Sequence, residues 1–219
     1  MSRLDDDIKN PATIFLKWDG TNGGFNYWDK SKADETKGIK GENVHVKLPF
    51  EFMALDTLAT VKGYSDSSKS GFWSNEIRNT KKDSLTVRTK AGVAATGLYA
   101  DVIKDKACTG AKYCQSVYIL ATLNGKAQIA NIQMMGTALS AWIDYQQKNK
   151  IFKGAISISK MKEGKKGATT YQTPIFESID TNAKTEAKAT EMAKELMVYL
   201  EKYLGEKQAE VTETSTDNS

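Results

Sequence analysis

The side chains best suited to catalysis are few in this chain. Its single histidine, His45, would have to serve any Ser–His–Asp or Cys–His mechanism, but it lies in the alternating run Val44 to Leu48, which is typical of a strand with His45 facing outward. The two cysteines, Cys108 and Cys114, have no second pair, so the four soft or imidazole ligands of a structural zinc site are missing. We therefore expect no metal, no cofactor and no enzymatic activity.

Phosphate-binding glycine motifs are also missing. No G-x-x-x-x-G-K-[ST] loop occurs and no G-x-G-x-x-G opens a predicted helix. The 27 acidic residues are scattered without an evident metal-binding cluster. A carboxylate-dependent nuclease therefore stays only as the least favoured alternative.

Aromatic rings next to basic side chains are what the sequence offers instead. The first such segment runs from Lys17 to Lys30. In an alternating strand Phe25 and Tyr27 share one face and Trp28 takes the other, so at least one of these rings is expected outside the core. Exposed rings can receive unstacked bases, and cations beside them can neutralise phosphates, which is how proteins bind single strands without sequence preference.

Two further segments have the same character. One runs from Lys62 to Lys90 and places a ring pair after a polar Ser/Gly loop; the other is the basic hairpin tip from Lys160 to Tyr171. In each, core packing of the rings or a simply solvated lysine loop is the competing interpretation. The predicted contacts are the rings Trp28, Tyr64, Phe72, Trp73 and Tyr171 and the cations Arg78, Lys81, Lys82, Arg88, Lys90, Lys160, Lys162, Lys165 and Lys166.

Charge is distributed unevenly along the chain. Residues 206–219 hold four acids against Lys207, a net charge of −3. Since the whole chain has a net charge of +4, the rest of the chain carries +7. Residues 148–167 alone hold seven lysines against Glu163. A basic body followed by an acidic end suits a protein that binds a polyanion. The acidic end would either compete weakly for the DNA groove, recruit replication enzymes or merely solubilise the chain.

Hydrophobic periodicity predicts a mainly β chain with few helices. A short helix is expected after Thr137, and a closing helix, capped by Thr181 or Asn182, is expected to end at Gly205. The predicted strands span 13–18, 25–28, 44–48, 50–63, 75–79, 85–89, 116–123, 126–134, 155–161 and 168–176, with a type I′ turn at Asn124–Gly125. This order fits an OB-fold-like antiparallel barrel, or a β-sandwich, over residues 11–205, between a flexible N-terminus (1–10) and a disordered acidic tail (206–219).

Several phrases resemble a known family. They are Asn10–Thr13, Phe72–Arg78, Lys81–Arg88 and Gly136–Trp142, and the similarity spans about residues 10–204. In these the chain resembles single-stranded-DNA-binding proteins of tailed bacteriophages, notably those of crAss-like phages. The resemblance implies an OB-fold core that coats single strands in replication or recombination, without catalysis. The tail lacks the terminal phenylalanine usual in bacterial members, which puts docking to a host partner in that manner in doubt.

Taken together, these features predict a protein that coats and protects single-stranded DNA. A virion-associated or assembly protein, whose basic surface faces packaged DNA or another subunit, is the alternative. No stretch approaches the ~18 apolar residues of a membrane span, and the N-terminus has no apolar core of a secretion signal. We therefore expect a protein of the host cytoplasm with no membrane contact. A homo-oligomer and replication proteins held through the acidic tail are possible partners.

Overall fold

The computed structural model describes residues 9–33, 35–66 and 69–216, with no side-chain description at 35 and 207–216. Most of the predicted flexible N-terminus, residues 1–8, lies outside these ranges. Within them the chain is mainly β, as predicted.

Eleven strands are found in the described ranges: β1 Ile14–Trp18, β2 Phe25–Asp29, β3 Glu42–Val46, β4 Phe50–Ser65, β5 Ser70–Ser74, β6 Leu85–Thr89, β7 Gly92–Gly97, β8 Ala111–Leu123, β9 Lys126–Met134, β10 Ala155–Lys166 and β11 Thr169–Ile179. The helices are α1 Tyr99–Val102, α2 Gly136–Lys148 and α3 Ala183–Thr216, with short 3₁₀ turns at Lys30–Lys32, Glu35–Lys37 and Lys106–Cys108. The main path of the sheet is β3-β2-β1-β9-β8-β4-β5-β6-β7.

The sheet branches at its longest strand, β4. Residues Phe50 to Phe52 pair with β10, which continues into β11, whereas Lys62 to Ser65 pair with β5. β1 runs parallel to β9, so the sheet is mixed. The pairing within the described residues leaves this sheet open and mixed, so closure into the predicted OB-fold-like antiparallel barrel is not shown. The parallel β1–β9 pair joins segments more than a hundred residues apart, which local periodicity does not reveal.

One face of the sheet curls around the main hydrophobic core. Four strand spacings separate β2 from β4, about 19 Å in a flat sheet, yet the rings of Phe25 and Phe50 lie 5.1 Å apart. Trp142 of α2 is fully buried in this core and contacts Phe52 and Phe176. The curl therefore follows from burying large rings of several strands beneath α2.

The opposite face is partly covered by α3. This helix starts at the predicted cap, where the Asn182 side chain accepts a hydrogen bond from the Thr185 N–H at 2.9 Å. Its Leu196 and Leu200 are fully buried against β4, β8 and β9. The helix continues through Gly205 to Thr216, so the predicted end at Gly205 is wrong for the described residues. A glycine inside a helix costs only about 1 kcal/mol, which continuing backbone hydrogen bonds can offset.

A second core lies beyond the first on the curled face. Val61 of β4, Phe72 of β5 and Val87 of β6 pack there with Val102 of α1. Because strand neighbours alternate, Trp73 then faces away from this core. The packing thus decides which ring of the Phe72–Trp73 pair is accessible.

Local predictions succeeded where turn chemistry is strong. Asn124 and Gly125 both have positive φ, 52° and 73°, as the predicted type I′ turn requires. The strand predicted at 75–79 is wrong: within that segment only a single bridge joins Ile77 to Ala59. β5 and β7 were not predicted, because their short runs rich in Gly, Ser and Ala lack apolar alternation.

Candidate nucleic-acid interface

The helix α3 covers only part of its face of the sheet, and the uncovered part of that face forms a groove. Its volume is about 1300 Å³, and we call it the sheet groove. It lies between the β1–β2 pair and the β4–β5 pair, with β9 as its floor. Its lining includes Phe15, Lys17, Asn26, Trp28, Asn43, Lys62, Gln128 and Gln133.

Two aromatic rings are exposed in the sheet groove. Trp28 is 53 % exposed and Phe15 is 39 % exposed. Each ring alternates with a buried neighbour, Tyr27 on β2 and Leu16 on β1, which belong to the main core. The core therefore fixes the strands so that Phe15 and Trp28 face outward, where unstacked bases could reach them. The prediction that at least one ring of this segment lies outside the core is confirmed.

Four lysines line the same groove, and two of them, Lys17 and Lys62, lie near its rings on β1 and β4. Lys17 follows Phe15 on one face of β1, and Lys62 lies on β4 with its side chain partly buried. Burial lowers the pKa of Lys62 from its ordinary value of 10.5, and the charge of Lys17 lowers it further. Neither lysine takes part in the ion pairs found among the described residues. A partly buried cation without an acidic partner is destabilising by itself and suits an anionic ligand.

One acidic residue that lines the groove and another that acts on Lys62 already accept hydrogen bonds. Asp29, at one end of the groove, accepts hydrogen bonds from Ser31 and Asn124, which lower its pKa. Glu76, which acts on Lys62 through its charge, accepts from the hydroxyls of Ser116 and Tyr118. Neither carboxylate forms an ion pair with Lys17 or Lys62 among the described residues.

Neutral groups complete the electrostatics around Lys62. Burial raises the pKa of the Cys114 thiol to about 12, so the thiol is uncharged near neutral pH. Burial and the carboxylate of Glu76 also raise the pKa of the Tyr118 hydroxyl, which therefore donates to Glu76 and adds no charge. Lys62 consequently faces the groove without a competing ionised thiol or phenol.

Cross-strand register extends this surface from β4 to β6. Lys62 pairs with Trp73 on β5 and with Lys112 on β8, and Trp73 pairs with Arg88 on β6. Directly opposed residues share a face, with Cβ atoms about 5 Å apart. Trp73 is 40 % exposed, and Tyr64, two residues beyond Lys62, is 53 % exposed. Rings and cations thus form a continuous strip from β2 to β6.

Four predicted residues belong to this strip and another lies beside it. Trp28, Tyr64, Trp73 and Arg88 are exposed on it. Lys90, on the β6–β7 turn, is placed next to the start of β5, because its N–H donates to Ser70 at 3.3 Å. The structure therefore brings together residues that the sequence could only predict one by one, from separate segments.

Phe72 is not available for stacking. It is 3 % exposed and packs in the second core with Val61 and Val87. Its prediction as a base-stacking ring is therefore wrong. The register of β5 gives the outward position to Trp73 instead.

The cations of the 75–84 segment lie apart from the strip. The Arg78 guanidinium pairs with both carboxylate oxygens of Asp56, one of them at 2.6 Å, which satisfies much of its charge. Lys81 and Lys82 sit on an exposed turn in which Asp83 accepts from the N–H groups of Arg78 and Asn79. These three cations border a smaller groove or open solvent, so their predicted part in one common trough is not supported by their positions.

The β10–β11 hairpin presents a different surface. Tyr171 and Lys162 line a groove of about 690 Å³ between this hairpin and α2. Lys160, Lys165 and Lys166 are exposed on the hairpin, where Lys160 pairs with Glu177 at 3.1 Å. Since the groove beside α2 shares no lining residue with the sheet groove, the predicted lysine clamp and the ring strip are separate surfaces.

The predicted contacts did not include four groove residues, Phe15, Lys17, Lys62 and Gln133, although Lys17 and Lys62 begin two of the segments singled out in the sequence. Phe15 and Lys17 alternate with the buried Leu16, a local signal that could have found them. Lys62 and Gln133 could not be found in this way, because β4 and β9 meet the β1–β2 pair only through tertiary structure.

No family model, curated protein or solved structure matches this chain. Among the described residues, no helix is both long and apolar enough to cross a bilayer. The site therefore has to be interpreted from its own geometry and charge.

Proposed function

We propose that this chain binds single-stranded DNA without strong sequence preference, through the sheet groove and the ring strip that continues from it. The observation that carries the proposal is the juxtaposition of exposed rings with unpaired cations. Phe15 and Trp28 lie in one groove with Lys17 and the partly buried Lys62. Stacking of bases on such rings contributes about 1–3 kcal/mol per base, and lysines neutralise the phosphates.

The arrangement favours single strands over duplex. In a duplex the bases are paired and stacked, so rings recessed in a groove meet only sugar and phosphate. In a single strand the bases can turn toward Trp28 and Trp73 while phosphates lie along the lysines. A purely electrostatic surface, by contrast, would bind both forms through their backbones.

Several finer features belong to the same proposal. The curl of the sheet, which brings the rings of Phe25 and Phe50 to 5.1 Å, supports the proposal that the sheet binds DNA on its outer surface as an OB-fold does. The phrases that resemble phage single-stranded-DNA-binding proteins support a role in coating strands during phage replication or recombination. A protein in that role acts in the host cytoplasm and has no catalytic activity of its own.

Fluorescence titration tests the proposal. The chain has four tryptophans, of which Trp28 and Trp73 are exposed on the strip. We expect an oligo-dT of about 16 nucleotides, the upper site size for one such domain, to quench this fluorescence. A duplex of equal length should bind at least about tenfold more weakly.

Salt dependence provides the control on the phosphate contacts. With two to four phosphates neutralised on a single strand, the slope of log K against log salt should be about −1.5 to −3. Equal affinity for duplex, or binding that does not respond to salt, would contradict the proposal.

A further inference from the structure

We infer that the floor of the sheet groove holds a base-edge subsite centred on Gln133, so that one base of the bound strand is held by its edge as well as by its face. The inference rests on the proposed function and adds a hydrogen-bonding contact to it. It predicts that affinity depends on the Watson–Crick groups of a base at one position of the strand.

The first argument is the hydrogen-bonding state of Gln133. Its side chain lines the groove, and the residue is only 9 % exposed. Among the described residues no side-chain hydrogen bond of Gln133 is found, whereas Ser116 and Asn131 beside it bond to each other. The amide atoms of Gln133 are not among the fully buried, unpaired side-chain atoms of the described residues, where only the Trp142 Nε1 is found, so the amide is open to the groove. A carboxamide that opens into the groove without a protein partner among these residues can pair with a polar ligand.

The second argument is its neighbours. Lys17 pairs with Gln133 across the β1–β9 register, and Phe15 lies two residues from Lys17 on the same face of β1. Residues opposite each other on neighbouring strands have Cβ atoms about 5 Å apart. A ring, an amide and a cation thus occupy adjacent positions, and Lys62 lines the same groove.

These three groups match the base face, the base edge and the phosphate of a nucleotide. The ring offers a surface for the base face, and the lysines offer charge for the phosphate. The carboxamide has donors and an acceptor. It can pair with the N3–H and O4 of thymine, or with a donor–acceptor pair on another base edge. The subsite therefore takes a nucleotide of a single strand, whose base edge is free.

The test compares two strands with the wild-type protein. One is oligo-dT, and the other carries difluorotoluene in place of thymine. Difluorotoluene has the shape of thymine without its hydrogen-bonding edge. The wild-type protein should bind the thymine strand at least about fivefold more tightly. The variant Gln133→Met should bind both strands equally, at the affinity of the wild type for the analogue.

Gln128→Met is the matched control. Gln128 also lines the groove, but its amide already donates to the Leu123 carbonyl at 3.0 Å, so the variant should keep the preference for thymine. If the wild type binds both strands equally, or if Gln133→Met keeps the preference, the inference is overturned. If the wild type binds neither strand, the proposed function itself fails. The comparison of strands with the wild type does not depend on the folding of any variant.

Discussion

Replacing Trp28 and Trp73 together by alanine is expected to weaken binding of oligo-dT by about 30-fold or more. Each base stack contributes about 1–3 kcal/mol, and every 1.4 kcal/mol corresponds to tenfold in affinity. The two rings lie at opposite ends of the strip, on β2 and β5, so each single variant should lose part of the effect. Both rings are only about half exposed, so each replacement should also lower the free energy of unfolding, by about 1–2 kcal/mol.

Fluorescence anisotropy with a labelled strand measures this loss, since it does not depend on the removed tryptophans. Phe152→Ala is the matched control, because Phe152 is 55 % exposed but lies beside α3, outside the sheet groove. It should bind as the wild type does. Unchanged affinity of the double variant would show that bases do not stack on the strip.

The variant Lys62→Met is expected to weaken DNA binding by about tenfold while making the fold more stable. Its charge is partly buried and without an ion pair among the described residues. An apolar side chain of similar length removes the cost of holding this charge partly out of water. The free energy of unfolding should therefore rise by roughly 0.5–1 kcal/mol, a small gain because the side chain is only partly buried. A lysine with a merely structural role would lose stability instead.

The size of the stability effect also depends on pH. The pKa of Lys62 is lowered in the folded chain, so the folded state disfavours its charge. The penalty is complete below that lowered pKa and disappears as pH rises toward the ordinary value of 10.5. Chemical unfolding near neutral pH and near pH 10.5 measures whether the stability gain of Lys62→Met shrinks accordingly.

Lys194→Met provides the comparison for a cation elsewhere. Lys194 is exposed on α3 and has no ion pair among the described residues. Its variant should change neither affinity nor stability by much beyond the small effect of one unit of net charge. If Lys62→Met destabilises the fold and leaves DNA binding intact, the assignment of Lys62 to the phosphate site is wrong.

Alternation within one strand was enough to predict one side of the interface. Phe25, Tyr27 and Trp28 occupy a short strand, so a buried pair forces the remaining ring outward. The same argument could have found Phe15 and Lys17. The mainly β character and the Asn124–Gly125 hairpin also follow from local chemistry.

The other side of the interface depends on register and sheet order. Phe72 and Trp73 are adjacent, and only the second core shows which of them is buried. Lys62 is placed near Lys17 because the sheet curls and a parallel β1–β9 pair joins distant segments. Neither feature leaves a periodic trace in the chain, so no reading of the sequence could have joined these lysines.

The helices decide how much of the sheet stays open. Leu196 and Leu200 of α3 cover β4, β8 and β9 on the face that also holds the sheet groove. The basic hairpin was expected in the same trough, but Tyr171 and Lys162 turn toward α2. Charge counting along the chain could not separate these two surfaces, because it ignores the face on which each lysine lies.

Photo-crosslinking with a 5-iodouracil strand, followed by mass spectrometry of the peptides, tests most directly where a single strand lies. The account predicts adducts on Phe15, Trp28, Tyr64 or Trp73, which are the exposed rings of the groove and strip. Adducts confined to Tyr171 and the β10–β11 hairpin, or an even scatter over exposed rings such as Phe152, would contradict it.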